Sequence, residues 1–495
     1  MFLFKMQANR LTQSINQAKS KKQGNSLPRG FERNPDILLI QCPPWDIVMP
    51  PLGVSYLSGY LKKYGYKTSV FDLNIALYHF CPKDLKYLWD QKSYDYWVNE
   101  DLFKDTWGKL KSLTENALKQ ALERTETEFI GLSVNFAGIK FASQILRKIK
   151  EVKREAKIIL GGWGCINEHM RGLFPKGFVD VFVVGEGEET LKEVIEVLRK
   201  HKDTANVAGA VFNNSRSVFT PRPPIRDLDS LPILTFSEFN LKDYTTPVMP
   251  LFTSRGCISS CNFCNDWRIS KPFRYRSARN VFEEIKYHTE KNCITCFSFK
   301  DLLCNGNMDR LNKLCDFLID SGMQIHWDSQ AIPLKEMTYE LLCKLRKSGC
   351  VTLIYGVESF SDAVLRKMGK LFTKEAAEKV IRDTRRAGIG AIINIIVGFP
   401  GETEEDYQQT YKAIEKNREH ITQIGAISTC LVNNDTDLEI NSRNYGLILP
   451  SDPKIRAKEW ATKDMQNTYQ IRKARAQKII ALLDKLGLSY VTTTK

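Results

Sequence analysis

The sequence predicts an α/β protein in two parts, a doubly wound parallel sheet followed by a partial (β/α)6 barrel. Three observations carry this expectation. Over residues 35–205, short apolar runs bounded by Gly, Asn or Asp alternate with stretches of helical periodicity. Six further β/α repeats follow between 250 and 450. Between the two sets, Pro221, Pro223, Pro224, Pro232, Pro247 and Pro250 place six of the chain's 19 prolines within 30 residues, the composition of a linker. A length of 495 residues also exceeds what a single core usually holds.

Taken in order, residues 1–34 are rich in Lys, Gln, Asn and Ser without apolar periodicity and read as a basic, poorly ordered arm. Ile37 to Ile40 is a strand. Val54, Leu57, Leu61 and Tyr64 then recur at helical spacing until Gly65 ends the helix. Strands follow at Thr68 to Leu73, Ile130 to Val134, Lys157 to Leu160 and Val179 to Val184. The stretch 75–125, with Trp89, Trp97 and Trp107, reads as a helical insertion. Residues 206–249 form the Pro-rich linker. The barrel strands are expected at Leu251 to Thr253, Cys296 to Phe299, Ile325 to Trp327, Thr352 to Tyr355, Ile392 to Val397 and Ile424 to Ile427. Residues 451–495 are expected as a basic helical appendage, with Ile479, Ile480, Leu483 and Leu486 on one face.

The formal charge of +15 suggests an anionic partner, but its location weakens that reading. Residues 1–34 hold seven Lys/Arg against one acid, and residues 453–495 hold ten against three, which leaves the body at net +2. No apolar run is long enough to span a membrane. The start has too short an apolar stretch for a signal peptide, so a cytoplasmic protein whose 13 cysteines are thiols is expected.

Cys257, Cys261 and Cys264 form CxxxCxxC directly after the first barrel strand. At this cysteine content the spacing arises by chance on the order of 0.01 times per chain, so it carries information. Three soft thiolates at this spacing suit an iron–sulfur cluster, and three ligands to a four-iron cluster leave one iron open. With Phe263 before the third cysteine, the loop resembles that of the radical S-adenosylmethionine (SAM) enzymes. The likeness continues through Phe273 to Ser277, Asp301, Trp327 with Gln330, Gly356-Val357-Glu358-Ser359, and Gly398 to Thr403. The resemblance implies that the cysteines hold a 4Fe-4S cluster, that SAM binds the open iron, and that an electron splits SAM to give a 5′-deoxyadenosyl radical. By position it implies that Asp301 meets the SAM amino group, that Glu358 and Ser359 meet its ribose or carboxylate, and that the turn Gly398 to Glu402, with Pro400, passes the adenine. An electron donor such as flavodoxin or ferredoxin is implied as well.

The front part resembles the Rossmann-like cobalamin-binding domain that precedes a TIM-like radical SAM barrel in one large subgroup. The matching pieces are Pro51-Leu52-Gly53, Ser133, Gly161-Gly162 and Gly185-Glu186-Gly187, all at strand C-terminal ends, where open parallel sheets bind ligands. None of the six histidines belongs to a DxHxxG motif, so cobalamin is expected without a histidine ligand of that kind. Cys42 is expected to be a small buried residue. The pair Cys293 and Cys296 is expected to be two buried thiols, since a CxxC arises by chance in roughly a third of chains of this composition.

Two departures from the subgroup stand where substrate or SAM contacts belong: Ala331 replaces an Arg after the third barrel strand, and Asn433 to Thr436 replaces a Pro-Gly-Thr turn. Substrate type is therefore not carried over. The first functional reading is a cobalamin-dependent methyltransferase acting on an unactivated carbon of a small molecule. The second keeps both cofactors but performs cyclisation, rearrangement or oxidation. The third is RNA modification guided by the basic ends; with no recognisable RNA-binding module, nucleic acid is the less favoured partner.

Overall fold

The computed structural model describes residues 32–200, 207–213 and 219–492. All but the last three residues of the basic arm 1–34 lie outside that set. The chain divides into two compact units, Met1–Pro250 and Leu251–Lys495. Among the described residues no helix is long and apolar enough to cross a membrane.

In the first unit, β1 (Ile37–Gln41), β2 (Thr68–Asp72), β3 (Phe129–Ser133), β4 (Lys157–Gly161) and β5 (Val181–Val183) run parallel in the order β2-β1-β3-β4-β5. Successive side chains of β1 point to opposite faces. Ile37 and Leu39 pack with Val54 and Leu61 of the helix Leu52–Lys63 and with Leu191 and Val194 of the helix Gly187–Arg199. Leu38 and Ile40 pack with Leu110 and Leu118 of Glu100–Glu123 and with Phe141 and Ile145 of Ile139–Val152. Burial on both faces is why the strands read as continuous apolar runs. The connections leave β1 in opposite directions, so β1 and β3 flank the topological switch point. The insertion is helical as expected, and its Trp97 is buried with the indole N–H donating to Leu88 O at 2.8 Å.

The Pro-rich stretch departs from the expected linker. β6 (Ala210–Phe212) adds antiparallel to the edge of β5. Ile225, Leu228, Leu231, Leu234 and Phe236 are buried, and the Tyr244 hydroxyl donates to the Asp72 carboxylate at 2.7 Å. Prolines suit an extended strap laid along a surface as well as a free linker, because both need fixed φ and few N–H donors.

The second unit begins at the end of β7 (Val248–Leu251). A short antiparallel ribbon of β8 (Ser254–Arg255) and β9 (Arg274–Tyr275) follows. The remaining sheet strands are β10 (Cys296–Phe299), β11 (His326–Ala331), β12 (Cys350–Glu358), β13 (Gly390–Val397) and β14 (Gln423–Thr429). A second ribbon, β15 (Leu447–Ile448) and β16 (Ala461–Thr462), precedes the helix Tyr469–Leu486, and β17 (Tyr490–Thr492) ends the described chain. The sheet order is β7-β10-β11-β12-β13-β14-β17, with β10 to β14 and β17 mutually parallel. One face is buried: Trp327 stacks on Phe299 at 4.8 Å, and Leu353, Tyr355, Ile393 and Ile427 are fully covered.

Two expectations are corrected in this unit. The first barrel strand ends at Leu251, and residues 252–253 are a break rather than its continuation. The C-terminal segment 451–495 is helical but not an appendage, because β17 extends the barrel sheet and its arginines are part of the interior. Arg472 is fully buried, donating to the carbonyls of Lys458 (2.9 Å), Trp460 (2.8 Å) and Asn467 (3.2 Å), with its guanidinium 3.6 Å from the centre of the Trp460 ring. Asn467 in turn donates its amide to Gly398 O (3.0 Å) and Phe399 O (3.2 Å). Arg475 pairs with Glu402 at 3.2 Å and Glu404 at 3.0 Å. These charges are committed to structure, which removes them from any nucleic-acid surface.

Replacing Arg472 by Met should destabilise the protein by about 3 kcal/mol, because three carbonyls lose charge-assisted donors; chemical denaturation measures this, and a change within experimental error would contradict a structural role for Arg472. A Cβ on Gly398, whose φ is +77°, would fall 2.2 Å from Arg472 Cγ. Gly398→Ala should therefore cost clearly less stability in an Arg472→Ala background than alone, and a double-mutant cycle with additive costs would show that the two do not meet.

Candidate functional site

In the second unit the expected residues gather at the C-terminal edge of the sheet, where a parallel barrel carries its chemistry. Asp301, just after β10, is completely buried. Its carboxylate accepts the backbone N–H of Thr253 (2.7 Å) and of Ser254 (3.1 Å) and the Thr253 hydroxyl. Burial raises its pKa, against the pull of Arg310 and of these donors. Asp301 thus holds the chain where it turns out of β7 into the cysteine loop.

Cys257, Cys261 and Cys264 are free thiols, Cys261 buried and the other two half-buried. The Ser259 N–H donates to Cys257 Sγ at 3.4 Å, and the backbone N–H groups of Asp266 and Trp267 serve Cys264. Burial raises all three thiols, Cys264 to about 12, while the Lys370 ammonium pulls Cys257 and Cys261 the other way. Among the described residues no three His, Cys, Asp or Glu side chains converge to hold a single metal ion. Backbone N–H groups aimed at sulfur, with one cation nearby, are the donor set that an anionic iron–sulfur cluster requires.

The other anchors separate into those that face this loop and those that do not. Phe263 lies 6.4 Å, edge to face, from Phe399, which ties the cysteine loop to the turn containing the buried Pro400. Glu358 ends β12 with φ +69°, a strained conformation for a non-glycine residue, and its carboxylate lies 3.4 Å from Lys370 Nζ. Ser359 is fully buried, with its hydroxyl 3.2 Å from that of Thr410 in the helix Glu404–Lys416. Gly398 makes close approach to Arg472, not to an open space, and its N–H donates to Glu402 at 2.7 Å; burial pushes Glu402 up to about 7 despite Arg475. The turn is thus held from behind by the C-terminal segment.

Lys370 was not legible in the sequence. Its ammonium donates to Gly356 O at 2.8 Å and lies over the Phe263 ring at 5.3 Å, so a single buried cation joins the fourth strand end to the cysteine loop. A lysine in Leu-Arg-Lys-Met-Gly-Lys carries no signal that separates it from a solvated surface charge.

In the first unit, Gly53, Gly162 and Gly185 are exposed at the C-terminal edge of the sheet. A Cβ at Gly53 or Gly185 would meet nothing within 4 Å. Gly162, at φ +94°, turns so tightly that a Cβ would lie 2.7 Å from Val134 O. Ser133 and Gly161 are half-exposed beside them, and Pro51 and Leu52 are buried at the start of the first helix. The Glu186 carboxylate accepts the Ile225 N–H of the strap at 2.8 Å, and Gly187 lets the helix pack on Leu57. Cys42 is buried as expected. Of the pair Cys293 and Cys296 only the second is buried, because Cys293 is exposed at a left-handed helix cap. Open grooves lined by Asp36, Tyr66, Glu128 and Arg199 lie at the opposite, N-terminal edge of this sheet and contain none of these residues.

Residues 251–414 match the Radical SAM superfamily. The chain is 24% identical over 315 residues to an uncharacterized methyltransferase of Pyrococcus horikoshii, covering 62% of this chain and 68% of that protein. It is equally 24% identical, over 374 residues, to the anaerobic magnesium-protoporphyrin IX monomethyl ester cyclase of Rubrivivax gelatinosus, with 73% of this chain covered and 61% of the cyclase spanned. The fold is similar to that of the radical SAM methyltransferase TsrM from Kitasatospora setae, solved with cobalamin and a 4Fe-4S cluster bound: the TM-score is 0.64 at 17% identity, over 85% of this chain and 81% of TsrM. Residues 251–414 form a radical SAM domain, and the chain as a whole has the fold of the cobalamin-dependent radical SAM enzymes.

Proposed function

We propose that the chain is a cobalamin-dependent radical SAM methyltransferase acting on a carbon of a small-molecule substrate. The observation that carries the proposal is the cysteine loop at the C-terminal edge of the barrel sheet, with backbone N–H groups directed at Cys257 and Cys264. Cys257, Cys261 and Cys264 would hold the cluster, and the open rim of Gly53, Ser133, Gly161, Gly162 and Gly185 would seat cobalamin. When bound, these groups supply a carbon-centred radical from SAM and a methyl group for transfer, which is chemistry the side chains themselves cannot perform.

The protein's own contribution is placement and charge. Lys370 holds Glu358 and the Gly356 carbonyl in one fixed array beside Phe263, so groups meeting SAM there need not reorganise when it binds. Glu358, held at a positive φ, stays aimed into that array. The N–H donors at the sulfurs would stabilise the negative charge that a bound cluster gains on reduction. An electron donor of the flavodoxin or ferredoxin type would supply the electron. The likeness to the cyclase supports a second reading, radical chemistry without methyl transfer.

The two readings separate in one experiment. With the anaerobically reconstituted protein and SAM labelled in its methyl group, label should appear in a carbon-methylated product alongside 5′-deoxyadenosine; 5′-deoxyadenosine with no labelled product would favour the second reading. Gly53→Phe, which fills the open rim of the first unit at a position where a Cβ meets nothing within 4 Å, should lower bound cobalt at least tenfold while leaving iron content unchanged. Equal cobalt in variant and wild type would remove this rim from the cobalamin site.

A further inference from the structure

The cysteine loop is covered on one side by two segments whose outward side chains nothing above uses. Asn262, which directly follows Cys261, ties both segments to the loop. Its backbone N–H donates to Met368 O at 3.0 Å and its side-chain amide to Lys367 O at 2.7 Å, while its own carbonyl accepts the Leu438 N–H at 3.0 Å. Gly369, at φ +77°, packs so closely that a Cβ would lie 3.3 Å from Ser260 O. Residues 366–371 and 437–445 therefore rest directly on the loop. Leu371 and Ile440 are 52% and 56% exposed there, and Ile258 of the loop itself is 37% exposed. Arg366, Lys367 and Arg443 are exposed on the same segments.

The charges of these segments are unevenly bonded. Asp437 and Glu439 are their two acids, and both are taken: Asp437 accepts the Tyr445 hydroxyl at 2.5 Å and lies 3.6 Å from Arg268, and Glu439 pairs with Arg456 at 3.0 Å. Lys367 donates to Gly401 O at 2.7 Å, and among the described residues Arg366 and Arg443 have no acidic partner. The surface over the loop is therefore positive, although the body of the chain is nearly neutral. A helix C-terminus attracts cations, which accounts for Arg366 and Lys367 at the end of the helix Asp362–Met368. It does not account for Arg443, nor for the bare Leu371 and Ile440. Exposed apolar side chains flanked by arginines are the make-up of a protein interface. Opposite charge on the partner would speed the encounter and orient it.

We propose that Ile258, Arg366, Lys367, Leu371, Ile440 and Arg443 form the docking surface for the electron donor, and that the donor is a small acidic protein carrying a one-electron cofactor. One electron leaves that cofactor for the cluster, and no bond forms or breaks. The inference rests on the function proposed above and deepens it by giving the reductant a place and a charge.

The test uses anaerobically reconstituted protein of measured iron content and, as probe, an acidic flavodoxin kept reduced. Dithionite, which needs no docking surface, is the second reductant, so that loss of SAM cleavage is seen separately from loss of docking. Arg366→Glu/Arg443→Glu should weaken flavodoxin binding at least tenfold and slow flavodoxin-driven formation of 5′-deoxyadenosine by a similar factor. Iron content, melting temperature and the dithionite-driven rate should stay at wild-type values. Raising salt from about 0.05 M to about 0.5 M should bring the flavodoxin-driven rate of the wild type down toward that of the variant. Salt-sensitive binding that the variant loses, in a protein forming no 5′-deoxyadenosine with either reductant, would support the surface while counting against the radical chemistry. The proposal is overturned if the wild type does not bind the flavodoxin, or if the variant binds it equally well. It is also overturned if the variant loses the dithionite-driven rate, which would give the arginines a role in the fold, or if the wild type is a dimer that the substitutions split, which would make the surface a contact between copies.

Discussion

The break between β7 and β8 is the feature on which the rest of the site depends. A parallel strand would ordinarily run on into its helix, but Asp301 reaches across from the neighbouring strand and accepts both N–H groups at the break. A buried carboxylate is costly unless it is fully bonded, and Thr253 and Ser254 meet that requirement only if the chain turns at that point. The turn delivers the cysteine loop to the strand C-terminal edge. Two further contacts set its depth there: Phe263 against Phe399, and Lys370 over the same Phe263 ring.

The same edge is closed from behind by charge. Arg472 and Arg475 are buried between the Gly398 to Glu402 turn and the segment that follows β14, and β17 then pairs with β14. An arginine can occupy such a place because its planar group satisfies several carbonyls at once while stacking on Trp460. The basic C-terminal segment, which composition alone would place on the surface, is therefore the back wall of the fifth strand's turn. This also gives Gly398 its meaning, since the space that a side chain would need is filled by the Arg472 stem.

Much of the fold was legible in the sequence because its signals are local. Strands buried on two faces announce themselves as apolar runs, as in Ile37 to Ile40, and helices by spacing, as in Val54, Leu57 and Leu61. The cysteine triplet was legible because its chemistry needs three residues at fixed spacing. What escaped depends on distant partners. The bonds of Asp301 to Thr253 and of Ser359 to Thr410 join residues 48 and 51 apart in the chain. Prolines mark extended chain without saying whether it lies on a surface, so the strap over the first unit read as a linker. Lys370 carries no pattern at all, and only the folded chain brings it to the Gly356 carbonyl and the Phe263 ring.

On the function proposed above, three cysteines on one loop hold a 4Fe-4S cluster in a chain that also carries cobalamin. Metal and sulfide analysis of protein purified without oxygen, beside a Cys257→Ala/Cys261→Ala/Cys264→Ala variant, addresses it most directly. About four iron and four sulfide with about one cobalt are expected per wild-type chain, with iron lost from the variant while cobalt stays. Iron and sulfide at equal levels in both proteins, or a wild-type chain that takes up no iron on reconstitution, would contradict it.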